Sequence, residues 1–147
     1  MVEELKNMQS KMYKYISDHA GWNYVLNILK KIVITSSSNN NNNKSELQQL
    51  CNEHIEFVKK QLKEFPGHEA IWYYLRLLSA FICQNKDTIF DNGEQDFQTF
   101  YKNEITFIND QYLNENNLNT LLVEEKFSLQ YKLWLYNLNV SFKYFII

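Results

Sequence analysis

Five side chains stand where chemistry or recognition could be done: His19, Trp22, His68, Trp72 and Arg76. His68, Trp72 and Arg76 are four apart, so in a helix they share one face. An imidazole can move protons near neutral pH, but only with a nucleophile or acid as its partner, and no motif here sets one up for His68 or His19. A hydrogen bond in a turn is the simpler role for both. Trp72 reads as a packing residue, since a tryptophan on a buried face covers roughly 150–250 Å². Arg76, set among Leu75, Leu77 and Leu78, must be paired if buried; it either caps neighbouring carbonyls or faces a partner. Cys51 and His54 are three apart and could share a face, yet zinc needs three or four ligands and no second pair is spaced to supply them. With three glycines in all there is no phosphate-cradling loop, and no serine sits in a nucleophile elbow. The expected catalytic, cofactor-binding and metal residues are therefore none.

These residues need helices to position them. Phe65-Pro66-Gly67 is a turn leading into a strongly apolar segment, and Asp18-His19-Ala20-Gly21 precedes Trp22 in a weaker version of the same pattern. Six helices are predicted, over about 2–17, 20–34, 45–64, 68–84, 95–114 and 119–146. Their inward stripes include Leu5, Met8, Met12 and Tyr15 in the first, and Phe127, Tyr131, Trp134, Leu138, Phe142 and Phe145 in the last. Asp18 offers an N-cap, and Ser45-Glu46-Leu47-Gln48 has the form of a capping box. Residues 36–44, rich in Ser and Asn, have nothing apolar to bury and are expected to be a disordered loop. Asp87 to Glu94 reads as a polar connection.

The six helices pair into three hairpins, about 2–34, 45–84 and 95–146, forming one helical-repeat domain over 1–147. Trp22, Trp72 and Trp134 each fall on a second helix, at separations of 50 and 62 residues. The third unit lacks the turn and the basic residue and reads as a terminal cap. The expected fold is all-α, with antiparallel hairpins stacked as an α-α superhelix, or solenoid.

Composition narrows the function classes. The 147 residues allow one domain with a real core, and 3 Gly with 1 Pro leave little room for a turn-rich β fold. Net charge is −2 from 15 basic and 17 acidic residues, with no basic stripe to grip nucleic acid. Two cysteines give no disulfide framework and suit a reducing compartment. The charged opening is unlike a secretory signal, and Lys30, Lys31 and Arg76 interrupt the apolar tracts, so a cytoplasmic protein without membrane insertion is expected. The sequence stops on Phe145-Ile146-Ile147, as a docked end would, or as a C-terminal fragment of a longer repeat array.

The run His68-Glu69-x-x-Trp72-x-Tyr74-Leu75-Arg76 resembles the repeat of protein prenyltransferase α subunits, with a polar opening, a tryptophan and a basic residue one turn on. The longer phrase Phe65-Pro66-Gly67-His68-Glu69-Ala70-Ile71-Trp72 is most similar to the branch called prenyltransferase α subunit repeat-containing protein. Asp18-His19-x-Gly21 before Trp22 is similar to a preceding repeat, although the position that should be basic is Val25. The resemblance implies a non-catalytic α-type subunit, or part of one, in a protein prenyltransferase heterodimer that transfers an isoprenoid to protein cysteine. It implies a β-type partner that holds the zinc, an acceptor protein met indirectly, and His19, Trp22, His68, Trp72 and Arg76 as the repeat-motif and interface residues. The alternative is a free-standing helical-repeat scaffold with no enzymatic role. No position matches the lysines and tyrosines that α subunits of this family lend to the isoprenoid diphosphate.

Overall fold

The computed structural model describes residues 1–38, 44–114 and 122–145; the side chains of Ser37, Ser38 and residues 141–145 are outside that description. Among the described residues there are seven helices and no strand: α1 (Val2–Met12), α2 (His19–Ser38), α3 (Lys44–Glu64), α4 (Glu69–Gln84), α5 (Lys86–Ile89), α6 (Gly93–Gln111) and α7 (Leu122–Phe145). The all-α class follows from the apolar stripes and the scarcity of Gly and Pro.

Three pairs carry the architecture: α1 on α2, α3 on α4, and α6 on α7. Side-chain contacts give their directions. Trp22 meets Tyr74, while Trp72 meets Glu124 and Arg76 meets Gln130, so α2, α4 and α7 run parallel in one row. Gln9 meets His54 and Tyr13 meets Phe57, while Lys59 meets Glu104 and Lys63 lies over the Phe107 ring; α1, α3 and α6 form a second parallel row. Within each hairpin the order reverses, as Gln98 with Asn139 and Glu104 with Tyr131 show for α6 and α7. Each hairpin is thus set beside the last in the same orientation. One contiguous core, from Leu5 to Leu135, fills the space between the rows.

Local chemistry sets the ends of the key helices. Asp18 Oδ1 accepts the Ala20 amide at 3.1 Å and its carbonyl accepts the Trp22 amide, which makes it the N-cap of α2. Gly21 lies in the first turn of α2, and a Cβ there would stand 2.9 Å from Met12 Sδ. The glycine is what lets α1 close onto α2. After α3, Pro66 cannot continue the helix and Gly67 takes φ +90°, a left-handed conformation that side chains rarely adopt.

Several expectations are corrected. α1 stops at Met12, and Tyr15 is exposed in the turn that follows rather than on the inward stripe. The amides of Lys14 and Tyr15 both bond the Lys11 carbonyl, which tightens the chain into that turn. Of the expected loop 36–44, Ser36 to Ser38 still belong to α2 and Lys44 opens α3; residues 39–43 lie outside the described residues. Ser45 is therefore already inside α3, one residue beyond its first. The polar connection 87–94 overlaps α5, whose Lys86 and Ile89 are buried, with Lys86 bonded to Glu94. Trp134 does fall on α7, the second helix of the third pair, but in a different setting from the other two tryptophans. Trp22 and Trp72 are buried, each four residues after the residue that precedes its helix, whereas Trp134 is 38% exposed. Phe142 and Phe145 lie outside the described side chains. In the third hairpin, expected as a terminal cap, Leu129, Leu133, Tyr136 and Val140 of α7 are exposed.

Candidate functional site

The site is built where the 65–68 turn, the first two turns of α4 and the start of α7 meet. Trp72 is fully buried and packs edge-on against Tyr112 at 5.0 Å and against Tyr131 at 6.1 Å. Its indole N–H donates to Glu124 Oε2 at 3.0 Å, and the Gly67 amide donates to Glu124 Oε1. One buried carboxylate from α7 therefore pins both the turn and the tryptophan of the preceding hairpin. Two N–H donors at the start of α4, where the helix dipole is positive, are what such a carboxylate needs when taken out of water. Glu124 was not legible as a site residue. An acidic residue in a first helical turn is ordinary, and its partners are more than 50 residues away.

The other motif residues separate into distinct environments. Arg76 is half-buried; its Nη2 donates to Gln130 Oε1 at 3.1 Å, and its backbone carbonyl accepts the Trp134 indole at 3.1 Å. Around it Tyr73, Leu77 and Trp134 remain open to solvent to differing degrees. His68 is the N-cap residue of α4, and its Nδ1 shares a 2.7 Å hydrogen bond with Ser17 Oγ in the turn of the first hairpin. That bond crosses between hairpins. His19 is the first residue of α2 and stacks edge-on with Tyr73 at 5.7 Å. His19 and His68 are thus not at equivalent places: Asp18 is the counterpart of His68. Trp22 is buried, donates its indole N–H to the Ile16 carbonyl at 2.9 Å and lies 4.7 Å from the Tyr74 ring.

Cys51 and His54 do share a face of α3, and that face is buried. Burial pushes the Cys51 thiol up to about 12 and holds the His54 imidazole down at about 4. Gln9 Nε2 lies 2.7 Å from His54 Nδ1, and Tyr74 Oη 2.6 Å from Nε2. With the amide as donor, the one ring proton sits on Nε2 and goes to Tyr74, so the pocket is built for neutral histidine. Among the described residues no three His, Cys, Asp or Glu side chains gather as a metal-binding group.

This buried histidine makes stability depend on pH. The unfolded chain protonates His54 near 6.5, the folded one only near 4, so between those values the unfolded state binds more protons. The contribution is complete above pH 6.5 and is lost as pH falls toward 4, amounting to about 3 kcal/mol at about 1.4 kcal/mol per unit. Urea unfolding at a series of pH values should show this loss, and His54→Gln should flatten it. A parent curve with no step in that window would show that His54 is solvated.

No helix among the described residues is long and apolar enough to cross a membrane. Cys51 and Cys83 are buried and unbridged. No curated protein and no solved structure matches the chain. Residues 51–81 do match a family model, that of the protein prenyltransferase alpha subunit repeat. The segment covers the last two thirds of α3, the Pro-Gly turn and α4 as far as Phe81, and so contains His68, Trp72 and Arg76; the weaker likeness around Trp22 lies outside it. The part of the chain that is similar to a protein prenyltransferase alpha subunit repeat is thus the α3–α4 hairpin, with its turn pinned by Glu124 and its tryptophan buried beneath α7.

Proposed function

We propose that the chain is a non-catalytic α-type subunit, or part of one, of a cytoplasmic protein prenyltransferase heterodimer. The family match over residues 51–81 carries this reading. In this scheme the β-type partner holds the zinc that turns the acceptor cysteine into a thiolate nucleophile, and the acceptor protein meets this chain only through the complex. The hairpins continue as a solenoid whose row of second helices faces the partner. Arg76 is the centre of that face. It is flanked by Tyr73, Leu77 and Trp134, the mix of an arginine with aromatic side chains that protein interfaces favour.

The test is prenyl transfer from geranylgeranyl or farnesyl diphosphate to a cysteine-ended acceptor, with and without a β-type subunit. The chain alone should give no turnover, and the mixture should. Turnover by the chain alone would overturn the non-catalytic role. A well-folded chain that fails to support any β-type subunit would instead favour the free-standing scaffold.

A further inference from the structure

The chain has one arginine, Arg76, against 14 lysines (15 basic residues less one). It stands in the middle of α4 and is half-buried. Among the described residues its guanidinium makes a single hydrogen bond, from Nη2 to the neutral side-chain amide of Gln130 at 3.1 Å. Its Nε is buried with no acceptor. The ion pairs that the described residues make among themselves all belong to lysines: Lys59, Lys60 and Lys86. Glu69 is the acidic residue of α4, and seven residues set it about 10 Å along the helix from Arg76, beyond contact.

An arginine does not shed its charge, and a half-buried charge with no counter-charge is costly. A methionine would fill the same space without that cost. A lysine, the basic residue used everywhere else in this chain, would keep the charge as a compact point. What arginine adds over both is its fork, two parallel N–H donors matched to the two oxygens of a carboxylate. With Nε buried, the Nη1–Nη2 end of the fork is the part left to receive one. Tyr73, Leu77 and Trp134 stand around the residue, and the Trp134 indole is fixed on the Arg76 carbonyl at 3.1 Å. Such surroundings thin the water beside the guanidinium and strengthen an ion pair made there. Phosphate sites draw on the free amides at a helix start, and Arg76 lies about two turns past the start of α4.

We propose that Arg76 is the seat of a carboxylate, an aspartate or glutamate side chain of the β-type partner, held end-on by the guanidinium between Tyr73, Leu77 and Trp134. The identity of the partner rests on the proposed function; the chemistry of the contact rests on the arginine and its missing counter-charge. The carboxylate gives the half-buried cation the partner that the described residues do not supply.

Because the chain holds one arginine, nuclear magnetic resonance of the 15N-labelled chain contains one guanidinium, and every arginine side-chain signal is that of Arg76. In the chain alone the Nη protons should be averaged by rotation. Adding unlabelled β-type subunit should move the Nε–H signal and resolve the Nη protons, as a two-point ion pair locks the group. Arg76→Met should weaken the complex at least about tenfold and remove most of its salt dependence, with the melting curve checking that the variant is folded. Arg76→Lys, which keeps the charge and loses the fork, should fall between parent and methionine. A complex that forms with the Arg76 signals unmoved, or that Arg76→Met leaves as tight and as salt-dependent as the parent, would overturn the inference and leave the proposed function standing. Resolved Nη protons in the chain alone would overturn it too, since a carboxylate of the same chain would then hold the seat. So would saturable movement of these signals by inorganic phosphate while the β-type subunit leaves them unmoved. Failure to bind any β-type subunit would remove both readings at once, and is told apart by the absence of a complex.

Discussion

Replacing Trp72 with alanine should lower the unfolding free energy by about 3–5 kcal/mol, the range for emptying a large buried aromatic site. The loss has two sources. The cavity lies between Tyr112 and Tyr131, in the contact between α4 and α7. The second source is Glu124, which would lose its indole donor while staying buried. Trp72→Phe separates them, because it keeps most of the ring volume and removes only the N–H; its cost should be about 1–3 kcal/mol. Chemical unfolding of the two variants beside the parent checks both values. Alanine and phenylalanine variants that unfold like the parent would show that Trp72 is not the pin between hairpins.

Lys59→Met should be of similar size, about 3–5 kcal/mol at neutral pH, because it strands a buried charge. Glu104 is almost fully buried; Lys59 forms an ion pair with it between the neighbouring helices α3 and α6, and Tyr131 donates to its Oε1 at 3.0 Å. Burial pushes the Glu104 carboxyl up from its ordinary range, while Lys59 and Tyr131 pull it back. Without the lysine, the carboxyl must take up a proton or stay ionised in a poor environment. Lys59→Met with Glu104→Gln should recover a good part of the stability, since neither partner is then charged. A double variant no more stable than the single would show that packing against Phe107, not the ion pair, is what Lys59 supplies.

What could be read from the sequence was local. Helical period, the N-cap at Asp18, the Pro-Gly turn and the spacing of Trp72 and Arg76 all act within a few residues, and each is a structural fact of α2 to α4. The partners of those residues could not be read. Glu124 on Gly67 and Trp72, Ser17 on His68, and Gln9 on His54 join side chains 45 to 57 residues apart, and each partner residue is unexceptional in its own helix. A charge pair such as Lys59 with Glu104 hides in amphipathic stripes, where both residues would be taken for solvated positions. The short α5 escaped because four residues are too few to show a period.

The most direct measurement is sedimentation of the purified chain mixed with a prenyltransferase β-type subunit. The account predicts a one-to-one complex that Arg76→Glu weakens at least tenfold while the variant chain stays folded. A folded chain that sediments apart from every β-type subunit offered, or a complex that Arg76→Glu leaves untouched, would contradict it.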